Sequence, residues 1–199
     1  MKNKSIKKFI QIISLLIMLV VILAYKLLAY VFAKDATLTA FSQLLSLLPG
    51  KFGSYLRTAF YRFSITHCDQ DAMVCFGVLL SQTKTEIHQG VYIGPQSNIG
   101  SAIIEKNCLL GSAVHILSGK KQHYFNELTM PIKEQGGEYT QIRIGENSWL
   151  GNGSIIMANV GKNCIIAAGS VLFDDIPDNS IALGNPAKVV KTRISNNEQ

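Results

Sequence analysis

Ile144-Gly145-Glu146-Asn147-Ser148-Trp149-Leu150-Gly151-Asn152-Gly153-Ser154-Ile155-Ile156 carries an aliphatic residue at 144, 150 and 156, with a glycine directly after the first two. A helix buries one face every 3.6 residues and a strand every second residue, so neither alone produces a beat of six. The same beat continues as Val160, Ile166 and Leu172. Earlier in the chain it runs as Ile87, Ile93 and Ile99, then as Ile104, Leu110 and Ile116. Such a repeat describes short parallel strands joined by tight turns and wound into a parallel β-helix, an all-β solenoid. Three hexads make one turn, so the runs 76–116 and 142–176 each supply about two turns. Inward aliphatics of successive turns bury one another in a dry triangular core. Glycines directly follow the beats at 94, 100, 111, 145, 151 and 161, and glycines permit the positive φ that sharp corners require. Two slips in the beat, Ile99 to Ile104 and Ile156 to Val160, are absorbed by shortened corners.

Between the two runs lies a polar, irregular stretch, 117–141, that includes Ser118-Gly119-Lys120-Lys121-Gln122-His123-Tyr124 and Glu134-Gln135-Gly136-Gly137-Glu138-Tyr139. The beat resumes after it, so this is a loop inserted into the solenoid. Long loops thrust from a regular scaffold are where function concentrates.

Charge divides the chain. Residues 1–66 hold nine Lys or Arg and one acid, Asp35, whereas 67–199 hold ten basic and twelve acidic residues. The basic character therefore belongs to the N-terminal segment, and no nucleic-acid partner is expected for the near-neutral repeat domain. Lys2, Lys4, Lys7 and Lys8 precede an apolar stretch from Phe9 to Ala33 whose one charge is Lys26. At about 1.5 Å per residue it is long enough to cross a hydrocarbon core of about 30 Å. A spanning anchor, a cleaved signal peptide and a re-entrant or interfacial helix all fit the pattern; the last keeps the repeat domain on the side of the basic head. Residues 36–63 form a second apolar element, stopped at Pro49-Gly50, in which Phe52, Tyr55, Phe60, Tyr61 and Phe63 interleave with Lys51, Arg57 and Arg62. That mixture suits a helix in the headgroup region, with capping of the open solenoid end as the alternative. The organisation is thus 1–66 as membrane anchor and amphipathic helices, 67–193 as the β-helix and 194–199 as a polar tail. Cys108 and Cys164 occupy equivalent repeat positions, and with Cys68 and Cys75 they form no CxxC, which points to small core residues in reduced form.

Three stretches carry a family resemblance. Ile144–Gly153 resembles an IGxNxWIGxG motif, Ala167-Ala168-Gly169-Ser170-Val171 resembles GAGSVV, and Ile176–Val190, with Gly184-Asn185-Pro186-Ala187-Lys188, resembles an IPDNxxxxGNPAKVI tail. These are marks of the left-handed β-helix hexapeptide-repeat acyltransferases, in the maltose and galactoside O-acetyltransferase group. The likeness is greatest to acetyltransferases of bacterial polysaccharide biosynthesis with a membrane-like N-terminal segment. It covers about 74–193 and implies left-handed coils, a homotrimer with sites in the clefts between subunits, and acetyl-CoA as acyl donor with no metal.

The implied reaction is O-acetylation of a sugar hydroxyl, in polysaccharide or lipid-linked glycan biosynthesis at the cytoplasmic side of a bacterial inner membrane. A histidine takes the acceptor's proton, and backbone N–H groups hold the oxyanion. His123, at the start of the inserted loop, matches the family's catalytic histidine with a shift of two residues. His115 and the loop carboxylates Glu127, Glu134 and Glu138 are candidates to bind the acceptor or orient His123. The resemblance assigns Ala167, Ala168 and Gly169 to the pantetheine arm, Lys188 to the phosphates with Lys191 and Arg193 as helpers, and Trp149 to subunit packing beside the cofactor cleft. Three alternatives stand beside this one. They are an N-acyltransferase on an amino sugar, a γ-carbonic-anhydrase-like metal enzyme using His88, His115 and His123, and a scaffold that keeps the fold without activity.

Overall fold

In the computed structural model the described residues are 2–193, with side chains described from residue 5 onward. The expected polar tail, 194–199, lies outside them. Residues 67–184 wind into about six coils of a parallel solenoid with three flat faces. Each face is a ladder of two- or three-residue strands, and each ladder sends one column of side chains inward. Cys68, Ile87, Ile104, Ile144, Val160 and Ile176 stack behind the first face. Val74, Ile93, Leu110, Leu150, Ile166 and Ala182 stack behind the second. Leu80, Ile99, Ile116, Ile156 and Leu172 stack behind the third. The Ile and Leu members that are fully enclosed each contribute about 1.5–3 kcal/mol through burial.

The solenoid begins one coil earlier than the aliphatic beat indicates. Cys68, Val74 and Leu80 keep the spacing of six, and a seven-residue step then leads to Ile87. The first column opens on a cysteine, which an aliphatic count passes over.

The glycines of the solenoid fall into two groups. None of the glycines at 94, 100, 111, 145, 151 and 161 has a positive φ. Their role is close approach: a Cβ on Gly145 would stand 2.5 Å from the carbonyl carbon of Gly161 in the next coil. The left-handed corner positions are shared largely between Gly77, Gly90, Gly153 and Gly169, with φ between +67° and +74°, and Asn107, Asn147, Asn163 and Asn179, with φ between +55° and +59°. Asn tolerates that region better than other chiral residues. Here the side chains form a ladder as well, Asn147 Nδ2 donating to Asn163 Oδ1 at 2.9 Å and Asn163 Nδ2 to Asn179 Oδ1 at 3.1 Å. The cysteines are unpaired, and Cys68, Cys108 and Cys164 are buried. Burial pushes the Cys68 thiol up to about 12 and the Cys108 thiol up to about 11.

Three helices precede the solenoid: α1 (Lys2–Val31), α2 (Lys34–Ser46) and α3 (Gly50–Ser64). The first coil of a solenoid exposes its core and one row of unpaired backbone groups. Helices α2 and α3 cover that end with Leu38, Phe60 and Tyr61, all fully buried. Leu80 N donates to Ser42 Oγ at 2.8 Å, Thr58 Oγ1 to the Ala72 carbonyl at 3.1 Å, and Thr83 N to Asp35 Oδ1 at 2.8 Å. Arg57 is fully buried; its Nε donates to Val74 O at 3.0 Å and its Nη1 to Leu48 O at 2.6 Å and Leu45 O at 3.1 Å. Residues 36–63 thus serve as the solenoid's cap, and Arg57, which the sequence reading placed toward headgroups, clamps the end of α2 to the first coil. At the far end Ser180–Gly184 turns back antiparallel as Ala187–Thr192.

Candidate active site

The inserted loop leaves the third face after Ile116 and re-enters the first face at Ile142, so it projects from one edge of the prism between the third and fourth coils. Its arms are paired by backbone hydrogen bonds. Thr140 N donates to Ser118 O at 2.9 Å, Glu138 N to Lys121 O at 2.7 Å, and Tyr124 N to Gly136 O at 3.0 Å. His123 is bracketed by the last two of these. The arms meet so closely that a Cβ on Gly137 would stand 1.9 Å from the Gln122 carbonyl oxygen and 3.0 Å from His123 N. His123 is exposed, and within the chain its side chain makes no hydrogen bond or ion pair to a described residue. Its backbone is held by the paired arms and its imidazole is exposed.

Glu127 holds the loop tip. Its Oε1 accepts from Thr129 N at 3.0 Å and Thr129 Oγ1 at 2.7 Å, and these bonds hold its pKa below the usual carboxylate range. Gln135 closes the tip from the other side through Glu127 O and Met130 O. None of Glu127, Glu134 or Glu138 bonds to His123 within the chain. Two hollows flank the loop base. His115, half-buried on the third face, lines one of about 140 Å³ together with Asn98, Gln122 and Tyr139. Glu138 lines the other, of about 230 Å³, with Lys120, Lys121, Met157 and Asn159.

The donor-side candidates fall in two places. Ala167-Ala168-Gly169 forms the corner between the second and third faces; Ala168 and Gly169 are exposed, and Gly169, at φ +69°, has nothing within 4 Å of where a Cβ would stand. The space beside Gly169 is therefore open, as a slender chain laid along the backbone would require. Lys188 is exposed on the C-terminal hairpin and lies 3.8 Å from Asp174 Oδ2, while Lys120 Nζ at the loop base lies 3.1 Å from Asp174 Oδ1. The two lysines hold the Asp174 carboxyl below the usual carboxylate range. Asp174 therefore joins the inserted loop to the C-terminal hairpin, a connection the sequence reading missed because 54 residues separate Lys120 from Asp174. Arg193 Nη1 donates to Asn163 O at 2.7 Å and so belongs to the corner ladder.

Trp149 faces elsewhere. It stands on the second face in an outward row with Met73, Tyr92, Leu109, Ile165 and Ile181. Met73, Leu109 and Trp149 are exposed. His88 stands on the first face, 3.4 Å from Glu86 and with its ring 4.9 Å from that of His67, so it does not converge with His115 or His123 within one chain.

Residues 141–174 match the bacterial transferase hexapeptide family (six repeats), and residues 101–119 match the hexapeptide repeat of succinyl-transferase. The Saccharomyces cerevisiae protein named "putative acetyltransferase" is 32% identical over 136 residues, covering 63% of this chain and 59% of that protein. A galactoside O-acetyltransferase of Lactococcus lactis is 41% identical over 70 residues, 34% of this chain and 33% of the relative. The chain thus spans about three-fifths of the first relative's length and a third of the second's. Among solved structures, a galactoside acetyltransferase in complex with coenzyme A superposes with a TM-score of 0.54 at 20% identity, covering 81% of this chain and 83% of that one. That likeness is one of fold.

Proposed function

The chain carries the hexapeptide repeats of bacterial transferases, and from that premise we propose that it is an acetyl-CoA-dependent O-acetyltransferase acting on a sugar hydroxyl, in polysaccharide or lipid-linked glycan synthesis. The supporting observation is a single edge of the solenoid at which the loop bearing His123 and the hairpin bearing Lys188 are tied together through Asp174. One ring nitrogen of His123 takes the proton of the acceptor O–H as that oxygen forms its bond to the thioester carbonyl carbon. Backbone N–H groups stabilise the oxyanion. The intermediate collapses by breaking the C–S bond, and the departing thiolate recovers the proton from the imidazolium. Lys188 meets the phosphates of the donor, and the open corner at Ala167-Ala168-Gly169 receives its pantetheine arm.

His115, Glu127 and Glu138 stand around the loop as acceptor contacts. Because Trp149 faces away from this edge, its part in the site requires a second copy of the chain. The outward apolar row from Met73 to Ile181 supports that assembly, which we take to be a homotrimer. Its place is the cytoplasmic side of a bacterial inner membrane. Titration calorimetry with coenzyme A on the detergent-solubilised chain tests the donor half: saturable binding is expected, and no binding at millimolar ligand overturns the reading.

A further inference from the structure

Helix α1 is the one helix among the described residues long and apolar enough to cross a membrane, over Ser5–Val31. Its packing opposes a crossing. A continuous stripe of Gln11, Ser14, Met18, Ile22, Tyr25 and Ala29 is covered by the cap and the first coil. Near one end Lys7 Nζ lies 2.9 Å from Asp71 Oδ1, and Gln11 Nε2 donates to Gln70 O at 2.8 Å. Near the other end Tyr25 OH donates to Ser64 O at 3.1 Å, and its ring packs 5.3 Å from Phe60 and 5.6 Å from Phe41. From Lys7 to Ala29 the helix is bound to the protein over about 33 Å, as much as a whole hydrocarbon core of about 30 Å. A crossing orientation would carry Gln70, Asp71 and the polar first coil into lipid beside it, at several kcal/mol for each backbone group left unpaired.

The opposite side of α1 is an uninterrupted apolar seam. Phe9, Leu16, Val20, Leu23, Leu27 and Val31 are between 61% and 74% exposed. At ~100° per residue, Leu16 and Val20 lie ~160° from Met18, whereas Lys8 and Lys26 fall on one common line ~80° from it. The two lysines thus border the seam on the same flank. That is the arrangement of a helix lying in an interface, with amines at headgroup level and the seam below them.

We propose that α1 docks in the plane of an anionic lipid surface through this seam, both of its ends remaining on the same side of the bilayer. The charge distribution favours lipid over a second copy of the chain. Exposed Lys8 and Lys26 flank the seam, so two seams face to face would bring like charges together, while anionic headgroups attract them. The proposal rests on the packing of α1 and holds whatever reaction the solenoid performs.

The test adds full-length protein to preformed sealed vesicles of phosphatidylglycerol and phosphatidylcholine, followed by flotation. Val20→Asp, at a position 74% exposed, is expected to lower co-flotation at least tenfold while leaving the thermal midpoint in place. Ser5→Cys and Lys34→Cys, read against the background of the native cysteines, are both expected to react with a membrane-impermeant maleimide from outside. Protection of one end until the vesicles are permeabilised would establish a span and overturn the proposal. So would unchanged flotation of Val20→Asp, or wild-type protein that ignores vesicles yet self-associates through a contact that Val20→Asp abolishes.

Discussion

Single residues at the corners determine how closely the coils stack. Asn163 sits at φ +55° and takes part in both side-chain bonds of the ladder, donating to Asn179 and accepting from Asn147. Replacement by Ala removes both bonds and strains the backbone, at about 2 kcal/mol in all. Replacement by Gly relieves the strain and costs about half as much, a contrast that denaturant midpoints of the two variants would reveal. The buried thiols predict a response to alkali. Their folded values, about 12 for Cys68 and about 11 for Cys108, lie above the ordinary value of 9.0. Their stabilisation is therefore fully present below pH 9.0 and is lost as pH rises toward the folded values. The thermal midpoint should fall between pH 9 and 11, and less steeply in a Cys68→Ala/Cys108→Ala variant, as calorimetry across that range would show. Equivalent repeat positions already marked Cys108 and Cys164 as core residues in the sequence. The Asn ladder was written there too, at 147, 163 and 179, but its period of sixteen belongs to a whole coil and is invisible to a count of hexads.

Among the elements, the inserted loop depends on a glycine that the repeat pattern does not flag. Gly137 lets the returning arm lie against the Gln122–His123 peptide, where no Cβ fits. Gly137→Ala should shift His123 and lower turnover on the order of 10²-fold. The arms are exposed and lie outside the core, so the thermal midpoint should stay near that of wild type; steady-state kinetics with a melting curve would check both halves. The loop's existence was legible because the six-residue beat stops and restarts. Its internal pairing was not, since nothing in the spacing shows that 136–138 returns to 121–124. The helices show the same division. Pro49-Gly50 announced the break between α2 and α3, but Arg57 reads in sequence as a surface cation and is in fact enclosed by carbonyls of Val74, Leu45 and Leu48. A one-dimensional pattern cannot tell a solvated charge from one that clamps two elements together.

Across the whole molecule, the beat at 144, 150 and 156 specifies a solenoid because each aliphatic lands on its counterpart one coil away. Position in the wound structure then brings together what the chain keeps apart, and Lys120, Asp174 and Lys188 are the clearest case. Trp149, on another face, is not gathered with the loop and the hairpin within one copy of the chain. Central to the proposal is that His123, on the loop at that edge, removes the acceptor's proton. The direct measurement is acceptor-dependent release of free thiol from acetyl-CoA by the full-length protein in detergent, with a panel of sugars and amino sugars, for wild type and His123→Ala. The account predicts turnover on a hydroxyl acceptor that falls by about 10²–10⁴-fold in the folded variant. Equal turnover by the two proteins would contradict it.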